Sequence, residues 1–257
     1  MKKIKRYQKF IFLALLLAFC AFGVYFYHFE YRKPLLEIHI FSLNRGRSVF
    51  IRTPQNKTIL IGGGQNTEVI RELTKVTPFY KRKIDYIIIS SVLPAQIGGL
   101  IEVINRYEVE EIIMPKLMAT STILTQLQKE IRKQKIHAEE VLKGDIIEIE
   151  KDLKLNILFP YKDFKFNKTS LPELGLSLEY GRTTAYFIGN LSKTIQKYIT
   201  KNLEIKNGEN IIEFYNSAID SKVSAELIEK IKPKFIWSTK EKTIHFISEG
   251  DRWVKIK

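Results

Sequence analysis

The chain has 257 residues, 45% of them hydrophobic, and a net charge of +14, which suits one large domain or two small ones. Its single cysteine, Cys20, excludes any intrachain disulfide. No repeat, low-complexity tract or Gly/Ser linker marks a second boundary within the bulk of the sequence.

Lys2, Lys3, Lys5, Arg6 and Lys9 open the chain with no acid among them. Residues 10–29 then carry no charge, and a run of about 20 apolar residues is what a helix needs to cross a bilayer. Tyr25, Tyr27 and His28 stand at its far end, where amphipathic rings favour the membrane interface. The excess of Lys and Arg before the run predicts a cytoplasmic N-terminus and a domain on the outer side. The expected organisation is therefore a basic tail and single-pass anchor over 1–33, then one extracytoplasmic domain over 34–257. A cleaved signal peptide is the rival reading. Against it, Ala21-Phe22-Gly23 is a poor cleavage site, and Leu17-Ala18-Phe19-Cys20 places Phe19 where a lipoprotein box wants a small residue.

Residues 1–33 hold seven bases and one acid, which leaves +8 on the remainder. Such a domain favours polyanions: nucleic acid, anionic headgroups or wall polymers. A general lysine bias explains the same charge without a partner.

Short β-rich runs follow the anchor. Residues 35–42, 48–52 and 58–61 read as strands separated by turns at Asn44–Arg47 and Pro54–Asn56, and Gly62-Gly63-Gly64 ends the third. Residues 67–75 suit a helix, 85–90 a fully buried strand, 100–106 a helix and 109–114 a strand. Residues 121–135 form an amphipathic helix, with Ile123, Leu124, Leu127 and Ile131 at helical spacing. Further on, 146–149 with 153–159, and 176–180 with 184–188, read as hairpins. Helices are expected over 191–202 and 221–231, strands over 211–215 and 235–237, and a closing hairpin over 243–247 and 252–256. Mixed strands with helices spread through both halves predict an α+β fold with two sheets between helices, an αββα sandwich.

The order of these elements, with several motif skeletons, resembles the metallo-β-lactamase fold, and most nearly the extracytoplasmic domain of ComEC-type DNA-uptake proteins. The resemblance runs from about Leu36 to Lys257. Where that family has Asp-Val-Gly-Gln-Gly-Asp, this chain reads Ser42-Leu43-Asn44-Arg45-Gly46-Arg47. Ile-Asp-Gly-Gly becomes Ile61-Gly62-Gly63-Gly64. The Ser-His, Asp-His and Gly-Gly frame becomes Ile89-Ser90-Ser91-Val92-Leu93-Pro94-Ala95-Gln96-Ile97-Gly98-Gly99. Leu142-Lys143-Gly144-Asp145 matches the turn before the central hairpin. Thr-Gly-Asp becomes Ile188-Gly189-Asn190, His-His-Gly-Ser becomes Tyr215-Asn216-Ser217-Ala218, and Lys232-Pro233-Lys234 fits the segment after it.

The resemblance thus places Ser91, Leu93, Ala95, Gln96, Asn190, Tyr215 and Asn216 where metal ligands would stand. A hydrolytic zinc site needs imidazoles and carboxylates around an open water position. None of the domain's histidines, His39, His137 and His245, lies at such a position. His39 and His245 read as strand residues, and His137 as an exposed residue after a basic helix. The implied protein keeps the fold without metal or other cofactor, a scaffold whose function does not follow from its fold.

Two features could still bind a ligand. Arg45 and Arg47 flank the first turn, with Ser90, Ser91, Gln96, Asn190 and Asn216 expected nearby, and guanidinium groups match phosphate oxygens bidentately. The simpler reading is that they are solvated turn residues. Lys162, Phe164, Lys165, Phe166 and Lys168 alternate bases with aromatics, the composition of a single-stranded nucleic-acid platform. The simpler reading is an edge strand with Phe164 and Phe166 turned inward and the lysines outward. Lys81-Arg82-Lys83 is a third basic cluster, ahead of the buried strand. Ser90-Ser91 lacks a nucleophile elbow and an evident base. The expected function is a membrane-tethered, non-catalytic binding or assembly module, its partners a membrane, DNA or another polyanion, and a channel or assembly protein. A divergent hydrolase is the alternative.

Overall fold

The computed structural model describes residues 11–24, 35–116, 121–164, 173–214, 223–238 and 243–256. The chain divides into two compact units, Met1–Pro34 and Leu35–Lys257. In the first, helix α1 covers residues 11–24 with its side chains exposed. Residues 10 and 25–29 of the membrane-crossing helix expected over 10–29 lie outside the described residues. Among the described residues no helix is long and apolar enough to cross a membrane.

The second unit is built on alternation. In β1 (Leu36–Phe41), β2 (Ser48–Arg52) and β3 (Thr58–Ile61), Leu36, Ile38, Ile40, Val49, Ile51, Ile59 and Ile61 point to one side. Phe41, Phe50 and Leu60 point to the other, as the two-residue period of a strand requires. β4 (Lys83–Ile88), β5 (Glu108–Met114) and β6 (His137–Glu140) extend the sheet in parallel beyond β3. β13 (Ile244–Ser248) and β14 (Trp253–Ile256) extend it antiparallel beyond β1. The eight strands run β14-β13-β1-β2-β3-β4-β5-β6.

A six-stranded sheet faces it in the order β12-β11-β10-β9-β8-β7. Its strands are β7 (Ile146–Glu150), β8 (Leu153–Phe159), β9 (Gly175–Tyr180), β10 (Thr183–Gly189), β11 (Glu209–Phe214) and β12 (Phe235–Ser238). Leu155, Ile157, Leu176, Leu178 and Phe187 meet Ile38, Ile51 and Phe246 in a central core between the sheets.

Each sheet is also buried on its outer face. Helices α2 (Glu68–Val76), α3 (Pro94–Arg106) and α4 (Thr122–Lys133) cover the first sheet with Leu73, Leu100, Ile104 and Leu127. Helices α5 (Lys193–Asn202) and α6 (Ala225–Ile231) cover the second with Ile195, Ile199, Leu227 and Ile231. The result is the expected αββα layering of two mixed sheets.

Two elements depart from the sequence reading. The helix expected over 100–106 begins at Pro94, whose fixed φ suits a first helical position. Gly98 and Gly99 lie inside it. A Cβ on either would stand 2.1 Å from a backbone oxygen, Gln65 O for Gly98 and Gly63 O for Gly99. The glycines therefore let α3 rest directly on the Gly62–Gly64 loop. The other departure is β6, a short parallel edge strand whose sequence His-Ala-Glu-Glu has no apolar alternation to announce it.

Candidate functional site

Close backbone contact at one end of the sheets gathers the polar residues. Gly46 adopts φ +86°, and a Cβ there would overlap the Ala95 carbonyl oxygen. Arg47 O accepts from Gly64 N at 3.0 Å, and Gly63 N donates to Gln96 O at 2.8 Å. The first turn, the glycine loop and the start of α3 are thereby tied into one platform.

From that platform the Arg47 side chain runs inward and is only 2% exposed. Its guanidinium donates to Glu213 of β11 through Nη1 and to Ser90 Oγ through Nη2 at 2.8 Å. Its backbone N–H donates to Gln96 Oε1 at 3.2 Å. Gly189, at φ +60°, leaves room for it: a Cβ there would stand 3.0 Å from Nη2. A second carboxylate stands by. Glu173 forms an isolated bridge with Ser91 just before β9, and Leu174 N donates to Ser90 O at 2.8 Å. Ser91 Oγ lies 3.5 Å from Glu173 Oε1, and the Asn190 side chain also hydrogen-bonds Glu173.

The electrostatics follow from burial. Glu173 is pushed up to about 7 by loss of solvent, partly offset by Arg47 and by its bonds to Asn190 and Ser91. Burial likewise raises Glu213 above the usual carboxylate range, against the opposing pull of Arg47. Among the described residues, Glu213 Oε1 has no hydrogen-bond partner. One guanidinium thus faces two buried carboxyl groups, and loss of solvent favours the protonated form of both against its pull.

Of the residues singled out in the sequence, Ser91, Gln96 and Asn190 converge here with Arg47. Leu93 and Ala95 serve through the backbone. Leu93 caps α3 and its N–H reaches Ser91 Oγ at 3.4 Å, while Ala95 abuts Gly46. Arg45 remains exposed at the turn, so the two arginines do not form a joint cradle. Tyr215 and Asn216 lie outside the described residues. The sequence reading missed Glu173 and Glu213. The signal for Glu213 was a lone acid between Ile212 and Phe214 in a core strand, a charge that must find a buried partner.

The basic–aromatic segment divides differently from the expectation. Lys162 is exposed, but Phe164 packs edge-on against Phe159 with centroids 4.7 Å apart, which commits it to the core. Lys165, Phe166 and Lys168 lie outside the described residues. Exposed aromatics instead occur between α2 and β4. Phe79 and Tyr80 are 88% and 76% exposed and meet edge to face. Beside them is a cavity of about 240 Å³ lined by Ile70, Phe79, Lys81, Arg82, Arg106 and Tyr107.

Comparison of the sequence with protein-family models and with curated proteins finds no match. Solved structures do resemble the fold. CmlA, a diiron β-hydroxylase from Streptomyces venezuelae, superposes with a TM-score of 0.51 at 13% identity, over 79% of this chain and 44% of that one. A diphosphatase of the PhnP family gives 0.46 at 15% identity over 76% and 72%. A metallo-β-lactamase from Cronobacter sakazakii gives 0.41 at 17% identity over 60% and 56%. The domain has the metallo-β-lactamase-like fold, two mixed sheets between layers of helices.

Proposed function

We propose that this chain is a non-catalytic member of that fold, most similar to the ComEC-type domain, and that it acts as a binding or assembly module. On this reading the apolar segment over 10–29 tethers it at the outer face of a membrane. One observation carries the proposal: the Arg47 guanidinium sits where Ser90, Gly189, Glu173 and Glu213 converge, among the positions the resemblance gives to metal ligands. The residues there do not fit a hydrolytic metal. No imidazole is among them, and a buried guanidinium repels a dication. It cannot act as a Lewis acid toward water either, because it has no vacant coordination position. The polar groups are used in holding the two sheets together rather than in activating a nucleophile.

The partner class this reading favours is a polyanion such as DNA. Phe79 and Tyr80 beside Lys81, Arg82 and Arg106 combine stacking faces with phosphate attraction, as single-stranded nucleic-acid surfaces do. Binding of the full-length chain to labelled single-stranded DNA at low salt tests this. Affinity should fall steeply as salt rises. It should also weaken by about thirtyfold or more in Phe79→Ala/Tyr80→Ala, since each stacked base is worth about 1–3 kcal/mol. No binding at low salt rejects the nucleic-acid partner.

The second reading is a metal-free hydrolase. A carboxyl titrating near 7 beside the Ser91 hydroxyl favours it, because that is the protonation range of a general base. Phosphodiester or lactone turnover lost in both Ser91→Ala and Glu173→Gln would establish that reading and displace the first.

A further inference from the structure

A second polar cluster lies on the outer face of the eight-stranded sheet, away from the Arg47 platform. His39 of β1 and His245 of β13 are direct cross-strand partners, and Glu37 stands two residues before His39 on the same face. The imidazole rings stack with centroids 3.9 Å apart. His39 Nε2 lies 3.3 Å and His245 Nε2 3.9 Å from Glu37 Oε2. All three donor atoms fall within 4.8 Å of one another. His245 Nε2 is shielded from solvent yet has no hydrogen-bond partner among the described residues. Every contact of the Glu37 carboxylate among the described residues goes through Oε2, including Arg52 Nη1 at 2.9 Å, so Oε1 is available.

From this geometry we infer that Glu37, His39 and His245 form a binding site for a first-row divalent metal of the zinc type. Two imidazoles and one carboxylate are the donor set that zinc and its neighbours in the series prefer. Zinc–ligand bonds of about 2.0–2.1 Å put the edge of a tetrahedron at about 3.3 Å. The His39–Glu37 pair already has that spacing, His245 Nε2 stands about 0.6 Å farther than that from Glu37 Oε2, and the stacked rings must turn so that both Nε2 atoms face one point. Ladder hydrogen bonds fix β1 and β13, so only side-chain rotation is required. Three protein ligands leave a fourth position for water or an outside donor.

Arg52 opposes the site. Its guanidinium holds Glu37 Oε2 and places a positive charge beside any bound cation. Its removal therefore separates a metal site from a structural ion-pair cluster. A structural cluster weakens when Arg52 is lost, whereas a metal site tightens.

The test uses the full-length chain, stripped with a chelator and titrated with Zn²⁺, and with Co²⁺ as a visible-absorption probe. One equivalent of Zn²⁺ should survive desalting, and Co²⁺ should give the intense ligand-field bands of a four-coordinate nitrogen–oxygen site. Retention should be lost in His39→Ala and in His245→Ala. In Arg52→Gln it should strengthen by about tenfold, the scale of removing one nearby charge at a partly solvated surface. In the wild-type chain, the imidazole proton resonances of His39 and His245 should shift with the first equivalent while that of the exposed His137 does not. This readout needs no variant to fold. Zinc held equally by both histidine variants, a first equivalent that leaves the His39 and His245 resonances unmoved, or no retained zinc would each overturn the assignment.

Discussion

The Arg47 cluster and the Glu37–His39–His245 cluster show two ways in which a β-sandwich carries polar side chains. The first lies between the sheets, where Arg47 and Glu213 are each 2% exposed and form an ion pair, with Glu213 Oε1 alone left without a hydrogen bond among the described residues. The second lies on an outer face, at side-chain exposures of 11–29%, and leaves His245 Nε2 and an oxygen of Glu37 without a hydrogen bond among the described residues. A polar group in a dry interior must be paired or it costs several kcal/mol. At a half-wet surface it can wait for a ligand. The difference teaches where to look for chemistry in this fold: the closed cluster holds structure, and the open one accepts a guest.

The sharpest way to break that contrast is to remove Arg47. Arg47→Ala leaves Glu213 and Glu173 buried without a counter-charge, and denaturant unfolding should show a loss of about 3–5 kcal/mol. Arg47→Met combined with Glu213→Leu removes both partners and should recover most of that loss, because a dry apolar pair replaces an ion pair with little net cost. A double variant as unstable as the single one would mean that the cluster is not a closed pair.

The next largest effect is on pH dependence. Glu173 holds its proton to about 7 in the folded chain against 4.5 when unfolded. Below 4.5 both states carry the proton and nothing is lost. Between 4.5 and 7 only the unfolded state releases it, so folding weakens as pH rises, and above 7 the loss is complete. The 2.5-unit difference is worth at most about 3 kcal/mol. Melts at pH 5 and pH 8.5 should differ in that direction, and Glu173→Gln should remove the part owed to this group.

The smallest effect is expected at the outer cluster. His245→Gln should change unfolding free energy by less than about 1 kcal/mol, the usual range for a partly exposed position without a buried charge. A loss comparable to that of Arg47→Ala would erase the distinction between the two regions.

Much of the fold could be read from residues alone, because alternation in Leu36–Phe41 and Ser48–Arg52 and helical spacing in Ile123–Ile131 reflect burial directly. Pro94 and Gly98-Gly99 misled, since both punctuate loops in most contexts. Here the proline opens a helix and the glycines permit its close approach to Gly63. Strand β6 was silent because an edge strand gains its place from hydrogen bonds to β5, not from apolar side chains. At the candidate site, Ser91, Gln96 and Asn190 come together around Arg47 and Glu173 at one end of the sheets. Arg47 read either as an anion-binding residue or as a solvated turn residue, because its partner Glu213 is 166 positions away, a distance no local pattern spans. The pairing of His39 with His245 was hidden for the same reason: two strands from opposite ends of the domain must meet before the rings can stack.

One consequence follows from the cation at the heart of the platform being a side chain. It has no exchange rate with the medium and no supply to depend on. Every folded copy carries it in a one-to-one ratio, and a chelator cannot strip it. Loading and folding are therefore a single event at this end of the sandwich, so the two sheets close in the same way whatever ions the surroundings provide.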